Sequence, residues 1–182
     1  MLRSYCVRRY LLAHLREPIK TPYNIKPEYG LLQRGNHVEE TLLLKEKTQV
    51  NKDFYIFKFL FQDQNKCLGV KVGDHVNLGT YSKDGKKIFR PYMPVSSIDD
   101  MGFVDFLIKI VKGEDKSEEK TGELTQVLVD STINDKFIMS PPDSGIWTYN
   151  GYGEFMIREN NKKSCRYVVM FAEDSGLTAF YQ

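Results

Sequence analysis

Arg90-Pro91-Tyr92-Met93-Pro94-Val95-Ser96-Ser97 sets an arginine and a tyrosine two residues apart, with two hydroxyls at the following turn. On an extended strand such a pair shares one face. A guanidinium offers a planar fork of donors to a pyrophosphate, and a tyrosine ring can stack on a flat heterocycle. The constellation therefore suits a phosphorylated aromatic ligand. By spacing alone, a proline-punctuated strand with a structural Arg and Tyr is the better account, and the surrounding chain has to decide.

Upstream, residues 38–46, 54–61 and 74–81 carry β-branched and aromatic side chains between turn signals. Ser82-Lys-Asp-Gly85 is a hairpin signal, and strands are predicted at 88–91 and 104–111. Many short strands without intervening helices predict a closed antiparallel barrel or a sandwich. The charge-rich stretch 112–120 reads as a solvated loop. Leu124, Val127 and Leu128 then recur at helical spacing, which predicts one short helix over 122–130. Two further strands are expected at 136–140 and 154–158. Arg166-Tyr-Val-Val-Met-Phe171 differs in kind: a near-continuous apolar run is typical of a strand buried on both faces of a parallel sheet. A helix start is expected in the residues after it.

At 182 residues the chain fits one full domain plus extensions. Hydrophobic residues at 41%, with 11 Tyr and 11 Phe, supply core material that a disordered chain would lack. The apolar run 54–61 contains Lys58 and falls far short of the roughly 20 residues needed to cross a bilayer. The net charge is +2, with seven Lys or Arg against two Glu in residues 1–36. The body is mildly acidic, so a nucleic-acid partner is not expected. Cys6, Cys67 and Cys165 have no CxxC spacing, and His14, His37 and His75 are scattered, so neither a disulfide framework nor a metal site is expected. Residues 1–16 hold four arginines and no acid, with Leu11, Leu12 and Leu15 able to share a helical face. That composition matches a mitochondrial transit peptide, or else a basic amphipathic helix lying on a partner or an anionic surface. Pro18, Pro22, Pro27 and Gly30 mark an extended connector.

With these elements in order, residues 38–178 resemble the flavin domain of the NADH-cytochrome-b5 reductase family and its ferredoxin-reductase relatives. Leu68-Gly-Val-Lys-Val-Gly-Asp-His-Val76 is similar to the segment ahead of the flavin site, and Arg90 to Ser97 is similar to the family's R-P-Y-T-P-V-S-S. Phe106-Leu-Ile-Lys-Ile-Val111 resembles the next strand, with Val111 in place of an aromatic. Gly122-Glu-Leu-Thr125 lines up with G-K-M-S at the head of the helix, and Ser140-Pro-Pro-Asp-Ser-Gly145 with G-P-x-G. The resemblance implies a six-stranded antiparallel Greek-key barrel with one short helix, followed by the first strand of a nucleotide-binding domain. It divides the chain into a basic extension (1–36), the FAD-binding-type barrel (37–160) and the start of the second domain (161–182). It also implies a cofactor-binding set: Arg90 on the pyrophosphate, Tyr92 against the isoalloxazine, Pro94, Val95 and Ser96 beside it, and Gly122 and Thr125 at the phosphates.

The departures from the family matter as much. Met93 stands where relatives place a hydroxyl toward the flavin N5, and a thioether donates no hydrogen bond. Glu173-Asp-Ser-Gly-Leu-Thr-Ala179 replaces G-G-T-G-I-T-P, which sets two carboxylates where phosphates are expected. The expectation is a non-catalytic, degenerate reductase-like accessory subunit of a larger mitochondrial, respiratory-type assembly. Other protein subunits would be its partners, with membrane-surface contact through the N-terminus, no NAD and no metal. The alternatives are an FAD-binding flavoprotein that passes electrons to a partner, and the flavin half of a cytochrome-b5-reductase-like enzyme.

Overall fold

A computed structural model of the chain describes residues 29–32, 38–82, 84–110, 122–142, 147–158 and 160–181. The transit-like segment 1–16 and the charged stretch 112–120 lie outside the described residues.

Six strands form one antiparallel sheet: β1 (Glu40–Gln49), β2 (Phe54–Phe61), β3 (Val76–Tyr81), β4 (Lys87–Tyr92), β5 (Phe103–Lys109) and β6 (Lys136–Ser140). Their order, β4-β3-β6-β1-β2-β5, is Greek-key-like. The side-chain period of two sorts each strand: Val104, Phe106 and Ile108 are buried on β5 while Phe103, Asp105, Leu107 and Lys109 lie on the other face. Phe59 meets Phe106 and Phe137 edge-on at 6.0 and 5.2 Å between ring centroids, joining β2, β5 and β6 through one aromatic cluster. A β-bulge between Leu44 and Glu46 resets the alternation of β1, so Lys47 stands opposite Phe57. One short helix, α1 (Glu123–Asp130), forms where the spacing predicts it and buries Leu124 and Leu128 as expected, with Val127 only partly buried and Thr125 buried as well.

The closed barrel of the sequence reading needs correction. The edge strands β4 and β5 share no ladder; they meet at one isolated bridge, Pro94 to Phe106, beside which the Val95 N–H donates to the Asp105 carbonyl at 2.8 Å. Pro91 and Pro94 lack the N–H that further pairing along this edge requires.

A smaller antiparallel sheet follows, β7 (Trp147–Gly151), β8 (Glu154–Ile157) and β9 (Asn161–Ser164), in the order β7-β8-β9. The chain ends in a 3-10 helix, Asp174–Phe180. Between them the expected buried parallel strand at 166–171 is not formed. Tyr167 and Phe171 are 89% and 88% exposed there. A parallel strand needs a neighbour on its hydrogen-bonding edges, and none of the described strands pairs with this segment.

Candidate functional site

The bridge between β4 and β5 fixes one end of the candidate site. Phe106 faces Pro94, the Val95 N–H reaches the Asp105 carbonyl, and the Asp105 N–H donates to Ser96 Oγ at 3.0 Å. Ser96 is buried, and its hydroxyl keeps its own proton for a second partner. Behind the bridge, Tyr92 and Arg90 share a face of β4 with the buried Ile88, opposite Val76 and Leu78 of β3. This is the shared face expected of an Arg-x-Tyr pair.

Tyr92 is half-buried, with its ring 6.3 Å from that of Phe106. Burial pushes its phenol up to about 12, against the smaller downward pull of the Arg90 charge. The Arg90 guanidinium donates from Nη1 to the Phe89 carbonyl at 2.7 Å. Met93 sits half-buried between Tyr92 and Pro94 and brings no donor. Beyond the bridge, the Ser97 N–H donates to Asp100 Oδ2 at 3.0 Å, and its hydroxyl to Asp99, which closes a turn.

Helix α1, which starts at Gly122 and carries Thr125 in its first turn, packs against β4, the strand that bears Arg90 and Tyr92. Gly122 is its N-cap and gives the first turn no side-chain cap. Thr125 is buried with its hydroxyl donating to the Gly122 carbonyl at 2.9 Å, so what it can offer an anion is its backbone amide. First-turn amides without a side-chain acceptor are the donor set that phosphate oxygens use. The residues present thus fit the pyrophosphate of a dinucleotide: an arginine fork on one element, an uncapped helix start on its neighbour, and a tyrosine between strand and core.

Of the two carboxylates of the C-terminal segment, Asp174 is engaged with a cation of β5. Asp174 accepts from Lys109 Nζ at 2.6 Å, which ties the 3-10 helix to the end of β5. The hydrogen bond to Asp174 raises the Lys109 pKa. Phe180 at the other end stacks on Trp147, 6.5 Å between centroids. Neither link was legible in sequence spacing. The same holds for Lys47, whose approach to the end of α1 follows the β1 bulge, and for Asp105, which buries one carboxylate oxygen although its position on β5 alternates with the buried ones. Among the described residues, no group of three or more His, Cys, Asp or Glu could hold a metal. Cys67 is buried, which raises its thiol pKa, and Cys165 is exposed.

Residues 41–149 match the family model of the oxidoreductase FAD-binding domain, and the chain belongs to that family. Within it, NADH-cytochrome b5 reductase 1 of Bos taurus is 36% identical over 187 residues, covering 94% of this chain and 61% of the bovine protein. NADH-cytochrome b5 reductase 3 of Rattus norvegicus is 32% identical over 151 residues, covering 80% of this chain and 50% of that protein. The chain therefore spans about 61% or less of the length of these relatives. Among solved structures, the cytochrome b5 reductase domain of Ulva prolifera nitrate reductase superposes with a TM-score of 0.72 at 22% identity, covering 84% of this chain and 56% of that one. The fold is that of a ferredoxin-reductase-like flavin domain, and its sequence is cytochrome-b5-reductase-like.

Proposed function

We propose that this chain binds FAD where β4 and β5 diverge and passes electrons to a protein partner. The observation that carries this is the packing of α1, its first turn uncapped, against the strand that bears Arg90 and Tyr92 on one face. Arg90 and the first amides of α1, from Gly122 to Thr125, hold the pyrophosphate. Tyr92 flanks the flavin ring and keeps water from it, while Pro94, Val95 and Ser96 fix the backbone beside it through their grip on β5. Bound FAD would supply the redox chemistry, taking a hydride from a reduced donor that the partner brings and giving up the two electrons, with release of a proton, to the acceptor. No nicotinamide or metal site is assigned to these residues.

The test is a titration of the purified chain with FAD, followed by flavin fluorescence and visible absorbance. Saturable binding at one FAD per chain is expected, and Arg90→Ala should weaken it by about tenfold or more, as loss of a charge-assisted fork does. A chain that takes up no FAD sinks the proposal.

A second reading is a non-catalytic accessory subunit of a mitochondrial, respiratory-type assembly. It is favoured by Met93, which offers no donor, by Glu123 in the first turn of α1, where an acid opposes a bound anion, and by the exposed run Tyr167, Val168, Val169, Met170 and Phe171. An apolar run of that kind suits contact with another protein. Purification of the native chain without flavin, inside a stable assembly, would select this reading over the first.

A further inference from the structure

Lys47 lies far from α1 in sequence and touches its end. Its ammonium donates to the Val129 carbonyl at 2.6 Å and to the Ser131 carbonyl at 2.8 Å. The β1 bulge makes this reach available, because it turns Lys47 to the face that carries Leu42 and Leu44. Two further terminal carbonyls are satisfied locally: the Ser131 N–H donates to Val127 at 2.9 Å and its hydroxyl to Leu128 at 2.6 Å. The last turn of α1 contains no basic residue of its own, so Lys47 supplies the cation that the negative end of a helix favours. The following turn is bound to the same strand, with the Asn134 N–H donating to the Leu44 carbonyl at 2.7 Å and the Leu44 N–H to the Asp135 carbonyl at 3.0 Å.

Among the described residues the helix is thus anchored at its C-terminal end and given no side-chain cap at the end that carries Gly122 and Thr125. A helix of 8 residues is too short to hold itself together in water, and its position is set by what grips it. Phosphate recognition by backbone amides tolerates little displacement, about half an ångström for a productive site.

We propose that Lys47 is a positioning residue of the FAD site: it fixes α1 along its axis and so sets the first-turn amides against Arg90. The proposal rests on the FAD reading above. Lys47 does not touch the cofactor in this scheme; it acts through the helix, and only on the pyrophosphate end. A flavin without phosphates should be indifferent to it.

The experiment uses the whole chain, with FAD and riboflavin as separate probes titrated against wild type, K47M and K47R, alongside hydrogen exchange of residues 123–130. K47M should weaken FAD binding by about tenfold, the scale of a lost charged hydrogen bond. It should leave riboflavin binding unchanged and speed exchange in the helix, while K47R restores FAD binding. If K47M does not fold, K47Q, which removes the charge and shortens the reach while keeping a polar side chain, takes its place with the same expectations. Unchanged FAD affinity in the variant overturns the proposal, as does an equal loss for FAD and riboflavin. Failure of the wild type itself to bind FAD is a different result, and it overturns the reading of the site together with this inference.

Discussion

The ring of Tyr92 stands 6.3 Å from the ring of Phe106, tilted by 56°, and so packs β4 on β5 beside the one bridge that joins these edges. Burial holds the Tyr92 proton on to about 12, whereas an unfolded tyrosine releases it near 10. In that interval the unfolded chain binds fewer protons than the folded one, so stability falls as pH rises from about 10 and levels off above about 12. Ultraviolet titration of tyrosinate should contain a late step that Tyr92→Phe removes.

Trp147 is the only tryptophan of the chain and stacks on Phe180 at an interplanar angle of 25°. Its emission therefore reports on docking of the 3-10 helix. Phe180→Ala should shift the emission to the red with little change in global unfolding. Asp174→Asn, which removes the ion pair to Lys109, should produce part of that shift, and added salt should mimic it in the wild type.

Asp105 buries Oδ1 without a partner and holds Oδ2 3.6 Å from Lys58. Desolvation raises its pKa by more than Lys58 lowers it, and Asp100 and Glu46 add to the rise. Between the ordinary value of about 3.9 and the raised folded value, the native state binds more protons than the unfolded state. Stability thus falls as pH rises through that window and stays lower above it. Asp105→Asn should unfold in urea at a higher concentration than wild type near neutral pH, by up to about 1 kcal/mol. At a pH below both pKa values the two should coincide.

Gly73 has φ at +92°, and a Cβ there would come within 2.9 Å of both the ring and the carbonyl oxygen of Trp147. Gly73→Ala meets both a disfavoured backbone conformation and a close contact with backbone. A loss of about 1–3 kcal/mol is expected in thermal or denaturant unfolding. The emission of Trp147 should change in the folded variant as well.

Where a segment's own pattern agreed with its surroundings, the fold was legible in the sequence. Phe54–Phe61 and Lys136–Ser140 are strands with the boundaries that their residues suggest. Asn161–Ser164 is a strand despite four exposed residues of little intrinsic preference for it, because β8 supplies the ladder; nothing local announces it. The run at 166–171 errs the other way. Its residues favour a strand, yet pairing is a property of two segments, and only one is visible in a local pattern. The Arg-x-Tyr pair and the helix start were readable for the same reason that Lys47 was not. The former depend on spacing within one element, and the latter on a bulge that changes which face a residue occupies.

The single bridge between Pro94 and Phe106 also has a thermodynamic consequence. A sheet whose lips are latched at one point gains from anything that spans them, so a cofactor seated there would serve as a staple as well as a reagent. Its free concentration then enters the unfolding equilibrium: at a hundredfold excess over its dissociation constant, a ligand of the native state adds about 2.7 kcal/mol. The melting temperature of this domain should accordingly track flavin supply, and cofactor-starved chains would be the first to unfold.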